Sequence, residues 1–175
     1  VRAAYGGPVS LTLAPLPGTL EELPGATDGL WLCEMSVLPA CPTTVLFGKH
    51  IDKSEDDRKK GVGTLPVRIG EKAARTLNLV IFILAYAVIL YLVFVPHFFT
   101  PVMLIVLLAG KRLLLALGVH TKPRPAEPPK EWPSWPTWFS GFAFNHNRIF
   151  SNLLLLAVLL DTLLRIFLPA FWPAL

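Results

Sequence analysis

The run Leu77–Val95, LNLVIFILAYAVILYLVFV, carries no charged side chain. At a rise of about 1.5 Å per residue it covers a hydrocarbon layer of roughly 30 Å. A helix apolar on every side finds no partner large enough in a small aqueous domain, whereas lipid satisfies it all round. The chain is 175 residues long, 53% hydrophobic and only 16% charged, so the run is not an isolated anomaly. Three more segments are candidates for the membrane. Phe98 to about Val119 is interrupted by Lys111 and Arg112, and about Ile149 to Leu168 contains Asp161 and Arg165. Leu30 to Gly48 carries Glu34 and prolines at 39 and 42. The expectation is an all-α integral membrane bundle of about four transmembrane helices.

Charge placement agrees. Residues 49–75 hold Lys49, Lys53, Arg58, Lys59, Lys60, Arg68, Lys72 and Arg75, and residues 111–148 hold Lys111, Arg112, Lys122, Arg124, Lys130 and Arg148. Residues 1–29 contain only Arg2, and the turn at 96–97 has no Lys or Arg. Four crossings put both basic regions on one face, which the positive-inside rule makes cytoplasmic, and leave 1–29 as an extracytoplasmic loop. The net charge of +4 thus reads as topology and not as affinity for nucleic acid.

Seventeen prolines punctuate the loops. In 120–138, HTKPRPAEPPKEWPSWPTW, their density rules out a helix and predicts an extended, polyproline-II-like cytoplasmic linker. Trp132, Trp135 and Trp138 recur every third residue, as interfacial anchors or as an aromatic rim. Cys33 and Cys41 match no metal motif and read as packing residues. No signal peptide is visible after Val1, and residues 1–30 are rich in Pro–Gly turn pairs, so the expectation is the C-terminal portion of something longer.

The chemistry concentrates in Lys49–Gly61, KHIDKSEDDRKKG, where four carboxylates and five Lys or Arg crowd together. Carboxylates and cations interleaved at a membrane surface suit a Mg²⁺-bound diphosphate, the acids meeting the metal and the cations the remaining oxygens. Asp52 and Asp56 share a helical face, and Asp57 replaces Asp56 if the backbone loosens after residue 53. A solvated loop accounts for the same charges. An EF-hand does not, because Asp57 stands where Gly is needed and Gly63 where Glu is needed. Thr64–Gly70 reads as an apolar connector, and Glu71 with Arg75 as a favourable i, i+4 pair opening the next helix.

The run FGKHIDKSEDDRKKGVGTLPVRIGEKAAR resembles the second aspartate-rich region of the UbiA-type membrane prenyltransferases, with Asp52, Asp57, Gly61, Thr64, Gly70 and Glu71 in matching places. WPTWFSGFAFNHNRIFSNLLLLAVLLDTLL resembles the last helix of one branch. Two departures stand out. Four residues separate Asp52 from Asp57 where the family commonly has three, and no Asn-x-x-x-Asp-x-x-x-Asp first motif is present. The resemblance therefore implies half of a UbiA-type fold, with residues 30–175 as the C-terminal half of the transmembrane domain.

It also implies an activity: Mg²⁺-dependent transfer of a prenyl group from its diphosphate to an aromatic or other apolar, lipid-like acceptor. Asp52 and Asp57 would be catalytic, Asp52, Asp56 and Asp57 would hold the metal, and Lys49, Lys53 and Arg58 would meet the diphosphate. The missing half would be a partner. The alternative is a catalytically incompetent membrane module or gene fragment. A transporter needs polar groups at midplane, and only Asp161 with Arg165 qualifies, a pair that an intrahelical ion pair explains more simply. His146, Asn147 and Arg148 enter the last helix from the cytoplasmic side, and Arg148 reads as a headgroup-level anchor or a phosphate contact.

Overall fold

A computed structural model describes residues 38–130, 132 and 135–168. Among these residues all regular structure is helical. The expected loop 1–29, the first part of the expected helix 30–48 and Cys33 lie outside them, as does the side chain of Cys41. The elements are α1 (Leu38–Asp52), α2 (Ser54–Lys59), α3 (Leu65–Ile69) and α4 (Glu71–Phe94). A 3-10 segment (Pro101–Ala109) then continues into α5 (Gly110–His120), and α6 (Phe139–Phe167) follows.

Among the described residues three helices are long and apolar enough to cross a membrane: Glu71–Phe94, the continuous Pro101–His120 and Phe139–Phe167. Each departs from its expected bounds for a local reason. Helix α4 begins six residues before the apolar run, because Glu71 and Arg75 form their ion pair (3.2 Å) along its first turns. Helix α6 begins ten residues before the expected Ile149, so Phe139–Arg148 belong to it. Thr64–Gly70 contains a short helix where a connector was expected, with Pro66 tolerated because it sits in the first turn. Gly61 and Gly70 both adopt positive φ (70° and 85°), letting the chain reverse before and after α3.

Between α4 and α6, and against the 3-10 segment, Tyr86, Ile89, Leu92, Val93, Met103, Val106, Phe150 and Leu154 form the main core. Helix α1 packs on α6 and α4. The opposite faces of α4, α5 and α6 expose Ile83, Leu84, Leu114, Leu155 and Leu159, as a lipid-facing surface requires.

The turn after α4 is closed from α6. Thr100 N donates to Asp161 Oδ1 (2.7 Å), and Arg165 bridges Asp161 Oδ2 (2.8 Å) and the carbonyl of Phe98. The intrahelical ion pair expected of Asp161 and Arg165 is present, and it also holds a turn 61 residues away in sequence. At the other end Arg75 donates to the His120 carbonyl (3.2 Å), Arg124 to the Asp52 carbonyl (2.8 Å), and the amides of Phe139 and Ser140 to the Asp52 carboxylate. The end of α1, the start of α4, the end of α5 and the start of α6 therefore meet at one end of the bundle. Residues 49–75 and the linker after α5 thus share that end, while Lys111 and Arg112 lie within the Pro101–His120 span.

Asp161→Ala strands the buried Thr100 amide and the Arg165 guanidinium, and should lower unfolding free energy in detergent by about 2–3 kcal/mol. Asp161→Asn keeps an acceptor for Thr100 and should cost about half of that. Denaturant titration of the two variants in one micelle system measures the difference.

Candidate functional site

Helix α1 ends at Asp52, one turn of chain intervenes at Lys53, and α2 restarts at Ser54, whose hydroxyl donates to the Ile51 carbonyl (2.8 Å). This break is the loosening that the sequence spacing left open. It separates the three aspartates by environment: Asp52 is buried (7% exposed), Asp57 is half-buried and Asp56 is exposed.

Asp52 reaches across to α6. Its Oδ1 accepts from Phe139 N (3.0 Å), while its Oδ2 accepts from Ser140 N (3.0 Å) and Ser140 Oγ (2.7 Å). These are the first amides of a helix, which have no intrahelical acceptor, and a carboxylate there also meets the positive end of the helix dipole. Trp138, the residue capping α6, forms no side-chain cap bond of its own. The approach depends on Gly48, one turn before Asp52 on the same face. A Cβ at Gly48 would lie 2.9 Å from Ser140 N and 3.0 Å from Ser140 Cα, backbone atoms that cannot swing away.

Asp57 Oδ2 accepts from the Thr64 hydroxyl (3.2 Å), and the Asp57 carbonyl accepts from Val62 N (2.8 Å), so this residue folds the loop onto itself. Glu55 pairs with Lys59 (3.3 Å) at the surface, an exposed i, i+4 contact of little energetic weight.

A cavity of about 670 Å³ opens between α1 and α6. Val45, Leu46, Lys49 and Asp52 line it from α1, at spacings that share a helical face, and Ser140, Gly141, Phe144 and Asn147 line it from α6. Lys53 stands at its rim. Two of the three cations assigned to diphosphate thus converge on one concavity. The third, Arg58, is exposed on α2 and does not line it. The walls are apolar apart from these groups, and the one acid among them is occupied by the α6 amides. The mouth therefore favours an anion.

Mg²⁺ takes hard oxygen ligands in near-octahedral order, commonly one or two carboxylates completed by water and phosphate. The described residues do not fit such an ion by themselves. No group of three or more His, Cys, Asp or Glu among them is placed to hold a metal, and the Asp52 carboxylate already accepts three hydrogen bonds from α6. Asp56 and Asp57 supply at most part of a donor set.

Sequence reasoning missed the polar groups inside the bundle. Asn78, fully buried, donates to the Thr44 carbonyl (3.2 Å) and lies 3.0 Å from His120 Nε2, while His120 Nδ1 lies 2.7 Å from the Ala116 carbonyl. Tyr86 Oη meets His146 Nε2 at 2.8 Å. The signal was present as Asn78 and Tyr86 inside an uncharged, largely apolar run, eight residues apart on the face that carries Phe82. His146 is buried in the core, whereas Arg148, read as an anchor, is exposed. Trp132 packs on Trp138 (5.2 Å) and stacks on Phe142 (4.6 Å), and Arg124 lies over Trp135 (5.4 Å), so these rings tie the linker to α6.

Fold and site define a membrane-embedded helical protein with a cation-rimmed, apolar-walled cavity at one end. The model of the UbiA prenyltransferase family matches residues 3–140, and the chain belongs to that family. No curated protein and no solved structure matches it.

Gly48→Ala should separate α1 from α6 and lower unfolding free energy by about 1–3 kcal/mol. Gly110→Ala, where an added Cβ meets nothing within 4 Å, should stay within about 0.5 kcal/mol of the parent. Thermal unfolding in matched detergent compares them.

Proposed function

We propose that this chain supplies the diphosphate-facing wall of a prenyl-transfer site, in which a prenyl diphosphate gives up its hydrocarbon to an aromatic or other lipid-like acceptor. The observation that carries this reading is the cavity between α1 and α6. It has Lys49 and Lys53 at the polar end and Val45, Leu46 and Phe144 along its walls. Ammonium groups hold the diphosphate oxygens and oppose the charge that builds on them as the carbon–oxygen bond breaks. Apolar walls keep water from the allylic carbon until the acceptor attacks it, and the acceptor then loses a proton.

Mg²⁺ is the metal characteristic of the family. Among the described residues of the acidic loop, Asp56 and Asp57 would offer oxygens to it, and the remaining ligands would come from outside the described residues. The loops carrying these groups would face the cytoplasm, on the charge asymmetry already described.

One observation favours the alternative of an incompetent membrane module, namely the incomplete carboxylate set. Binding and turnover separate the two. In lipid nanodiscs with MgCl₂, Lys49→Gln with Lys53→Gln should weaken farnesyl diphosphate binding about tenfold or more. Unchanged affinity would remove the cavity from the proposal. Equal binding by the parent chain without pyrophosphate release, in the presence of an aromatic acceptor, would support the module.

A further inference from the structure

We propose that Asp52 is a positioning residue that fastens the last membrane helix to the acidic loop, and that its carboxylate serves α6 in place of a metal ion. This inference stands on geometry alone and does not depend on prenyl transfer. Helix α6 emerges from a proline-rich stretch without a capping side chain of its own. Its first two residues, Phe139 (1% exposed) and Ser140 (7%), are buried, so water is not at hand for their amides. Asp52 offers one oxygen to each amide, and the Ser140 hydroxyl adds a third bond. Bonds from ionised acceptors to amides at a helix start are among the stronger ones a protein makes. Gly48 provides the close approach they need, and Arg124 secures the Asp52 carbonyl from the linker (2.8 Å). Four separate features thus converge on one role.

That role conflicts with the ligand role implied by the sequence resemblance. A cation on Asp52 would share a carboxylate that already accepts three hydrogen bonds and would draw charge away from the amides it holds. Anchored as it is, Asp52 positions the α6 wall of the cavity against the Lys49 wall, and its charge is balanced by the helix and not by the lysines.

Amide hydrogen exchange of the full chain in nanodiscs, read at Phe139 and Ser140, tests the inference. In the parent both amides should be protected, and millimolar MgCl₂ should leave them so. Asp52→Asn retains one acceptor oxygen, so one of the two amides should keep its protection while the other exchanges about 5- to 30-fold faster. Ser140→Ala preserves both backbone bonds and is expected to fold. Its effect on the unfolding equilibrium should be non-additive with that of Asp52→Ala, because the Ser140 hydroxyl donates to the carboxylate that Asp52→Ala removes. Three results would overturn the proposal: unchanged exchange in Asp52→Asn, strictly additive variants, or deprotection of the parent amides by MgCl₂ alone. The transfer reading survives any of them.

Discussion

The contact between the Asp52 carboxylate and the first amides of α6 constrains everything at this end of the molecule. Without it a 29-residue helix would start from buried, unsatisfied donors. With it, α1 and α6 come close enough for Gly48 to touch the Ser140 backbone, and the cavity acquires two fixed walls. The contact also decides the sign of that cavity. An acid lies in its lining, yet the acid is turned toward helix amides, which leaves Lys49 and Lys53 as the charges that set the local potential. A motif of mixed charge in sequence contributes two lysines and one carboxylate to the cavity in three dimensions.

The rest of the bundle obeys the same requirement, that polar groups in lipid find partners within the protein. Asp161 and Arg165 close the turn at the far end, Asn78 and His120 pair between α4 and α5, and Tyr86 meets His146 between α4 and α6. These contacts link every long helix to another by at least one directional bond. Lipid offers no hydrophobic drive for helix association, so such bonds and close packing fix which faces meet.

What could be read from sequence was local. Leu77–Val95 announces a membrane helix because nothing else tolerates it, and the loop charges place four helix ends together. Glu71–Arg75 and Asp161–Arg165 are legible because partners four residues apart on a helix must be neighbours. The early start of α6 was not legible. FSGFAFNHN mixes Gly, Ser and Asn with aromatics and lacks the apolar signature of the span it opens, and its cap lies 87 residues upstream. The Asn78–His120 pair spans 42 residues and has no spacing rule to betray it. The aspartates were recognised as special from their neighbours and their family resemblance. Neither source could reveal that burial would divide them into a helix anchor, a loop brace and a solvent-facing acid.

Because α6 is fastened at both ends to elements made long before it, the order of synthesis acquires consequences. When α1 to α5 have been made, the Asp52 carboxylate still awaits its donors and the Thr100 amide its acceptor, all of them on α6. Delivery of Phe139–Phe167 supplies both, so neither end of the bundle closes until its last membrane helix has been made.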